Sequence, residues 1–201
     1  MSQQSLAIQL SKLKTFTKPK MKLEQYSTDS NIAAELLWDA YMQGAIEDKT
    51  VADLGAGTGI LGIGALILGA KRVFFVEIDP EAIQTLKENL ATLDISPESY
   101  TILEADLTSF TQKVDLILMN PPFGTKEEHA DIRFLTHAMS LTKHIYTLHK
   151  SSTLPFLKQT ITKQCWKIAK ELTHSFPLKH SMEHHTKSKR LIKVSTLELV
   201  K

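Results

Sequence analysis

The stretch Leu116-Ile117-Leu118-Met119-Asn120-Pro121-Pro122-Phe123-Gly124 runs four apolar residues into an amide, two prolines and an aromatic ring. Those residue types suit a device that grips an amine. The Asn120 side-chain oxygen accepts one N–H, and the backbone carbonyl of Pro121 accepts a second. Neither proline brings a competing N–H, and Pro121 and Pro122 stiffen the loop. Phe123 offers a flat face for stacking a planar ring. Read alone, the same four residues also describe a rigid turn with Phe123 in the core.

Upstream, Val51-Ala52-Asp53-Leu54-Gly55-Ala56-Gly57-Thr58-Gly59 joins an apolar run to a helix-like segment. Six of the eight glycines lie between positions 55 and 69, where they allow a tight turn and let a ligand touch backbone. The spacing is G-x-G-x-G, so the dinucleotide fingerprint is not matched. Gly62 either extends the series or serves helix–sheet packing. Asp53 would repel a pyrophosphate but can pair with a cation. S-adenosylmethionine, with a sulfonium, an ammonium and no phosphate, meets that condition. The next apolar run ends in Val76-Glu77-Ile78-Asp79, which places Glu77 to accept from ribose hydroxyls. In Leu103-Glu104-Ala105-Asp106-Leu107, Asp106 is the candidate acceptor for an adenine amino group, with Glu104 its rival. Asp79 is expected to cap the helix that begins at Pro80. The expected cofactor set is Asp53, Gly55, Ala56, Gly57, Thr58, Gly59, Ile60, Glu77, Ile78, Asp106, Leu107 and Asn120.

Elements with a regular alternation must position these residues. Strands are expected at 50–54, 72–78, 100–104, 114–119 and 144–149, with a closing pair at 167–174 and 191–200. Helices are expected at 59–68, 80–93, 127–141 and 153–164. This is the pattern of a parallel sheet with helices on its faces. Two further helices are expected at 8–16 and 31–41, the second capped by Asp29 or Ser30. The polar, basic stretch 177–190 reads as a long exposed loop.

The chain of 201 residues suits a single domain, and 42% hydrophobic with 23% charged residues is a globular composition. Its lone cysteine, Cys165, excludes an internal disulfide, offers no metal cluster and is expected to be a packing residue. No apolar run is long enough to span a membrane, and the N-terminus lacks a signal-peptide core, so a cytoplasmic location is expected. The net charge of +2 hides an asymmetry. Residues 1–140 hold 12 Lys+Arg against 19 Asp+Glu, a net of −7, whereas residues 141–201 hold 12 against 3, a net of +9. Six of the eight histidines also lie in that last segment. A basic third on an acidic body suits a polyanionic partner. The pair His184-His185 has no second ligand pair at useful spacing, so no metal is expected.

"VADLGAGTG", "VEIDP" and "MNPPFG", in this order, resemble the class I, Rossmann-like S-adenosylmethionine-dependent methyltransferases, and the Asn-Pro-Pro-Phe sequence resembles their amino-group methylating branch. "LEQYSTDSNIAAELL" at 23–37, "NPPFGTK" at 120–126 and "LHKSS" at 148–152 are similar to the archaeal and eukaryotic small-subunit ribosomal RNA adenine-N6 methyltransferases, the methyltransferase-like protein five type. That resemblance implies a seven-stranded, mostly parallel Rossmann-like sheet with one antiparallel strand and helices on both faces. It implies one methyltransferase domain over 1–201, with an N-terminal helical lid region at 1–45 and a catalytic core at 46–201. Gln25, Tyr26 and Thr28 then join the cofactor site, closing over its methionine end. The chain departs from the human-type pattern at Ala56 and Thr58, where cysteines would stand, and at Ser27 and Asp29, where Pro and Arg would stand.

The implied reaction is methylation of an adenine N6 amine in RNA, with ribosomal RNA the expected source. Catalysis then rests on Asn120, Pro121, Pro122 and Phe123. Lys150, Lys179, Lys187, Lys189 and Arg190 are the expected RNA contacts, with His180 in the same cluster. The resemblance also implies a small zinc-binding activator subunit on an exposed sheet edge. A protein glutamine amide, DNA or a small-molecule amine are the alternative acceptors. A non-catalytic cofactor-binding subunit of a ribosome-assembly complex is the alternative of another class.

Overall fold

The apolar runs form one sheet because their side chains alternate between two separate cores. In a computed structural model that describes residues 1–122, 130–177 and 191–201, the strands are β1 (Thr50–Leu54), β2 (Arg72–Glu77), β3 (Tyr100–Glu104), β4 (Leu116–Met119), β5 (His144–Lys150), β6 (Lys167–Pro177) and β7 (Leu191–Val200). They stand in the order β3-β2-β1-β4-β5-β7-β6. The pairs β1–β2, β1–β4, β2–β3 and β4–β5 are parallel, and β7 is antiparallel to both β5 and β6. This is the seven-stranded, mostly parallel sheet expected from the sequence. The central strands are covered on both faces, so β2 and β4 are near-continuous apolar runs, whereas the edge strand β6 is largely exposed and carries polar residues along its length.

Val51, Phe75, Leu116 and Leu118 face one core, which they share with α1 (Gln3–Leu10), α2 (Ser30–Met42) and α3 (Ile60–Ile67). Ala52, Phe74, Ile117 and Met119 face the other, shared with α5 (Ala130–Leu141) and α6 (Leu154–Lys163). Helix α4 (Pro80–Thr92) adds Leu86 and Leu90 to the first core. Asp79 caps α4 as expected, and of the two candidates for α2 Asp29 is the cap, with Ser30 the first helical residue. Among the described residues, no helix is long and apolar enough to cross a membrane.

Two expectations need correction. The first helix spans Gln3–Leu10 rather than 8–16. A capping box formed by Ser2 and Ser5 starts it early, and the chain leaves it at Ser11. Cys165 is exposed instead of packed, in a left-handed turn with φ 58° after α6. Residues 127–129 of the expected α5 and residues 178–190 of the expected loop lie outside the described residues.

Helix α3 lies close on its neighbours because it carries glycines. A Cβ on Gly62 would drive into the fully buried Phe75 ring of β2, and one on Gly64 would meet Leu37 of α2. Gly62 therefore serves helix–sheet packing. Gly62→Ala should destabilise the fold by about 1–3 kcal/mol despite alanine's better helix propensity, as read by denaturant unfolding.

Candidate active site

The sheet changes direction at β1, which lies between β2 and β4. A parallel sheet opens a crevice at such a point, beyond the carboxyl ends of the strands. The glycine loop fills the turn out of β1. Gly57 and Gly59 hold φ of 55° and 92°, which side chains rarely adopt, and a Cβ on Gly57 would lie 2.9 Å from the Phe16 ring. The Gly55 and Ala56 amides donate to the Val76 carbonyl at 2.8 and 3.0 Å, which fastens the loop to the end of β2.

Glu77 extends that fastening. Its Oε2 accepts from the Gly57 amide at 2.7 Å, and its Oε1 accepts from the Ile78 and Asp79 amides at 2.9 Å each. Burial raises its carboxyl above the ordinary range, against the pull of those three amides. Ile78, immediately after it, is 52% exposed and offers a flat apolar surface beside the carboxylate. Asp53 is 2% exposed and accepts from the Gly62 amide at 2.8 Å. Burial lifts it to about 7, the Gly62 bond opposes this, and the nearby Glu77 charge adds to it. Ala56, Thr58 and Leu107 are buried, and Ile60 is partly so.

Asp106 caps a short 3-10 turn. Its Oδ1 accepts from the Thr108 amide at 3.0 Å and from the Thr108 hydroxyl at 2.7 Å, while Oδ2 stands 3.5 Å from Arg133. The Thr108 hydroxyl, first among these contacts, keeps the carboxyl below its usual range. Glu104 ends β3 and is exposed.

Asn120 follows β4. Its Oδ1 accepts from the Tyr26 hydroxyl at 2.7 Å, and its Nδ2 donates to the Thr28 hydroxyl at 2.8 Å. The Tyr26 hydroxyl also lies 3.4 Å from the Pro121 carbonyl oxygen. Burial keeps the Tyr26 phenol well above its ordinary pKa, so it is a hydroxyl at any working pH. Pro121 is buried and Pro122 partly so. Phe123 lies outside the described residues, as do Lys179, His180, Lys187, Lys189 and Arg190.

A strap from the N-terminal region crosses this edge and is stitched to it at three places. Asn89 of α4 accepts from the Lys14 amide at 2.8 Å and donates to the Lys14 and Thr58 carbonyls at 3.0 and 2.9 Å. The strap then passes Phe16 over Gly57. At the second stitch, Asp79 takes the Lys20 ammonium on Oδ1 and the Gln25 amide on Oδ2, each at 2.6 Å. Burial alone would raise Asp79, but Lys20 and Gln25 together hold it below its ordinary range. The Gln25 oxygen accepts from the Lys20 amide at 2.8 Å, and Glu24 turns the chain with φ 49°. Tyr26 and Thr28 make the third stitch at Asn120. Of the three residues that the resemblance added, Gln25 thus meets Asp79, and Tyr26 and Thr28 meet Asn120.

Phe16, Lys20 and Asn89 were not expected at the site. Asn89 had a signal. It falls in the buried stripe of α4 with Ala82, Ile83, Leu86 and Leu90, where a polar residue needs a partner.

The basic C-terminal third is less free than its composition suggests. Lys158 pairs with Glu171 at 2.8 Å, and Lys170 pairs with Asp39. His149 is buried, and desolvation pushes it down to about 3, so it carries no charge. Lys150 is partly exposed at the carboxyl end of β5, on the site's side of the sheet.

Asn89→Ala should leave the Lys14 amide without its partner and cost about 1–3 kcal/mol. Tryptic cleavage at Lys14 or Lys20 should then outpace that of wild type while the sheet stays folded.

The family model described as Conserved hypothetical protein 95 matches residues 31–174. The rRNA N(6)-adenosine-methyltransferase METTL5 of Danio rerio is 35% identical over 164 residues, covering 78% of this chain and 77% of that one. The rRNA N(6)-adenosine-methyltransferase Mettl5 of Drosophila melanogaster is 36% identical over 152 residues, covering 72% and 70%. Among solved structures, a Pyrococcus horikoshii protein provisionally assigned as an RNA methyltransferase superposes with a TM-score of 0.89 at 40% identity, covering 99% of this chain and 98% of that one. On these matches the chain belongs to the Conserved hypothetical protein 95 family, alongside relatives named as rRNA N(6)-adenosine-methyltransferases.

Proposed function

We propose that this chain transfers a methyl group from S-adenosylmethionine to the exocyclic N6 amine of an adenine in RNA, with ribosomal RNA as the source. The observation that carries the reading is the convergence of two acceptors. The Asn120 Oδ1 and the Pro121 carbonyl oxygen lie within reach of one small group, at 2.7 and 3.4 Å from a single hydroxyl. An amine brings two N–H groups to such a pair. Each oxygen has two lone pairs, so the hydroxyl leaves capacity for the amine. The relatives' named activity supports the acceptor.

The residues at the crevice suit the cofactor. Asp53 faces its cationic end, Gly55 to Ile60 give it backbone, Glu77 accepts from its ribose, and Ile78, Asp106 and Leu107 take its adenine. The cofactor supplies a methyl already activated as a sulfonium. Asn120 and Pro121 pull on the N–H bonds of the target amine and favour the tetrahedral nitrogen that attacks. Phe123 stacks on the target base, and Pro122 keeps the loop stiff. The methylated nitrogen turns acidic and loses its proton to water.

A folded RNA must present the adenine unstacked. Lys150, with Lys179, Lys187, Lys189 and Arg190, holds the phosphates. Residues 1–45 act as the lid region over a core at 46–201, and the enzyme works in the cytoplasm. A small zinc-binding activator subunit, docked on an outer sheet edge, completes the proposal.

The deciding experiment offers labelled cofactor with total RNA, total protein and DNA, with the labelled nucleoside then identified. Label on N6-methyladenosine supports the reading, and label on protein or DNA alone overturns it. Asn120→Ala should lower turnover by at least about 10²-fold while cofactor affinity stays within a few-fold.

The pH dependence follows from Asp53. Its carboxyl ionises at about 7, so below that pH it is neutral and gives a cation no attraction. Cofactor affinity should rise with pH up to about 7, by up to about tenfold per unit, and level off above. Asp53→Asn should flatten this profile in calorimetric titrations.

A further inference from the structure

We infer that Tyr26 and Thr28 are positioning residues for the Asn120 amide, a role that rests on the proposed reaction but concerns this chain's own geometry. An asparagine amide has two nearly isosteric ends, and only its oxygen can accept from an amine. Flipped by half a turn, it would set its own N–H groups against those of the substrate. Something must choose the orientation before the base arrives.

The two strap hydroxyls make that choice. Tyr26 stands 2.7 Å from Oδ1, and Thr28 stands 2.8 Å from Nδ2. Either hydroxyl could in principle donate or accept, but their chemistries differ. A phenol oxygen shares its lone pair with the ring, which makes it a better donor than acceptor, and burial keeps this one protonated. The Thr28 oxygen is an aliphatic alcohol and accepts well. The phenol therefore belongs with the carbonyl end and the alcohol with the amide nitrogen. Thr28 adds a second effect. Accepting from Nδ2 draws electron density through the amide onto Oδ1, which strengthens its remaining lone pair as an acceptor.

Both hydroxyls sit on the strap, whose neighbouring Gln25 is bonded to Asp79, two residues from Glu77. Asn120 is thus oriented only when the strap is seated across the ends of β2 and β4.

The test uses Tyr26→Phe, Thr28→Val and Thr28→Ser in the full chain, each checked for unchanged melting. Tyr26→Phe and Thr28→Val should each lower kcat at saturating RNA by about tenfold or more. The cofactor Kd should stay within about threefold, since these hydroxyls act through Asn120. Thr28→Ser should restore most of what Thr28→Val loses. The Asn120 side-chain NH2 signals, assigned by their loss in Asn120→Ala, should exchange with solvent faster in Thr28→Val than in wild type. Three results would overturn the inference: kcat within twofold of wild type, a loss accounted for by cofactor Kd alone, or unchanged NH2 exchange in Thr28→Val. Should wild type methylate no RNA adenine, the functional reading falls, and the exchange measurement still decides the positioning role.

Discussion

The knot around the Glu77 carboxylate is the interaction on which the rest of the site depends. Three backbone amides converge on it, from Gly57, Ile78 and Asp79. One belongs to the loop after β1, and two belong to the turn after β2. The carboxylate therefore fixes the glycine loop and the start of α4 relative to each other. Asp79, held there, points its own carboxylate at Lys20 and Gln25. Remove the knot, and the loop, the helix cap and the strap lose their common reference. Its cost is a buried acid, raised above its ordinary range and sharing its surroundings with Asp53. A site that keeps two carboxyls close and partly desolvated favours a cation, and a nucleoside sulfonium is one.

The strap bears directly on Asn120, the proposed amine-gripping residue. Loop stiffness from Pro121 and Pro122 fixes where the Asn120 backbone lies, but a side-chain amide can still rotate. Contacts with Tyr26 and Thr28 address that remaining freedom. The division is physical: prolines limit backbone dihedrals, and hydroxyls choose between two ends of an amide that sterics cannot tell apart.

Much of the fold was legible because strands covered on both faces, such as β2 and β4, write near-continuous apolar runs. β1, β3 and β7 begin and end where the sequence put them, and the acids at 53, 77 and 106 follow strand ends as expected. Helix α1 was misplaced because its start is set by two serines, Ser2 and Ser5, whose capping box outweighs a weak apolar periodicity. Cys165 was misjudged because its exposure comes from a left-handed turn that no composition rule signals. The strap's contacts were illegible for another reason. A bond such as Lys14–Asn89 joins residues 75 apart, and neither residue type announces its partner. Family resemblance named Gln25, Tyr26 and Thr28 but could not say which side chains they touch.

The strap also bears on how the protein is made. Its residues leave the ribosome before their partners do: Asp79 is 59 residues beyond Lys20, and Asn120 is 94 beyond Tyr26. Such long-range closures are late steps in folding. A segment made before its partners is then among the last to lock. Nascent protein holds Asn120 open and unoriented until β1 to β4 have paired, so the strap closes only on an assembled half of the sheet.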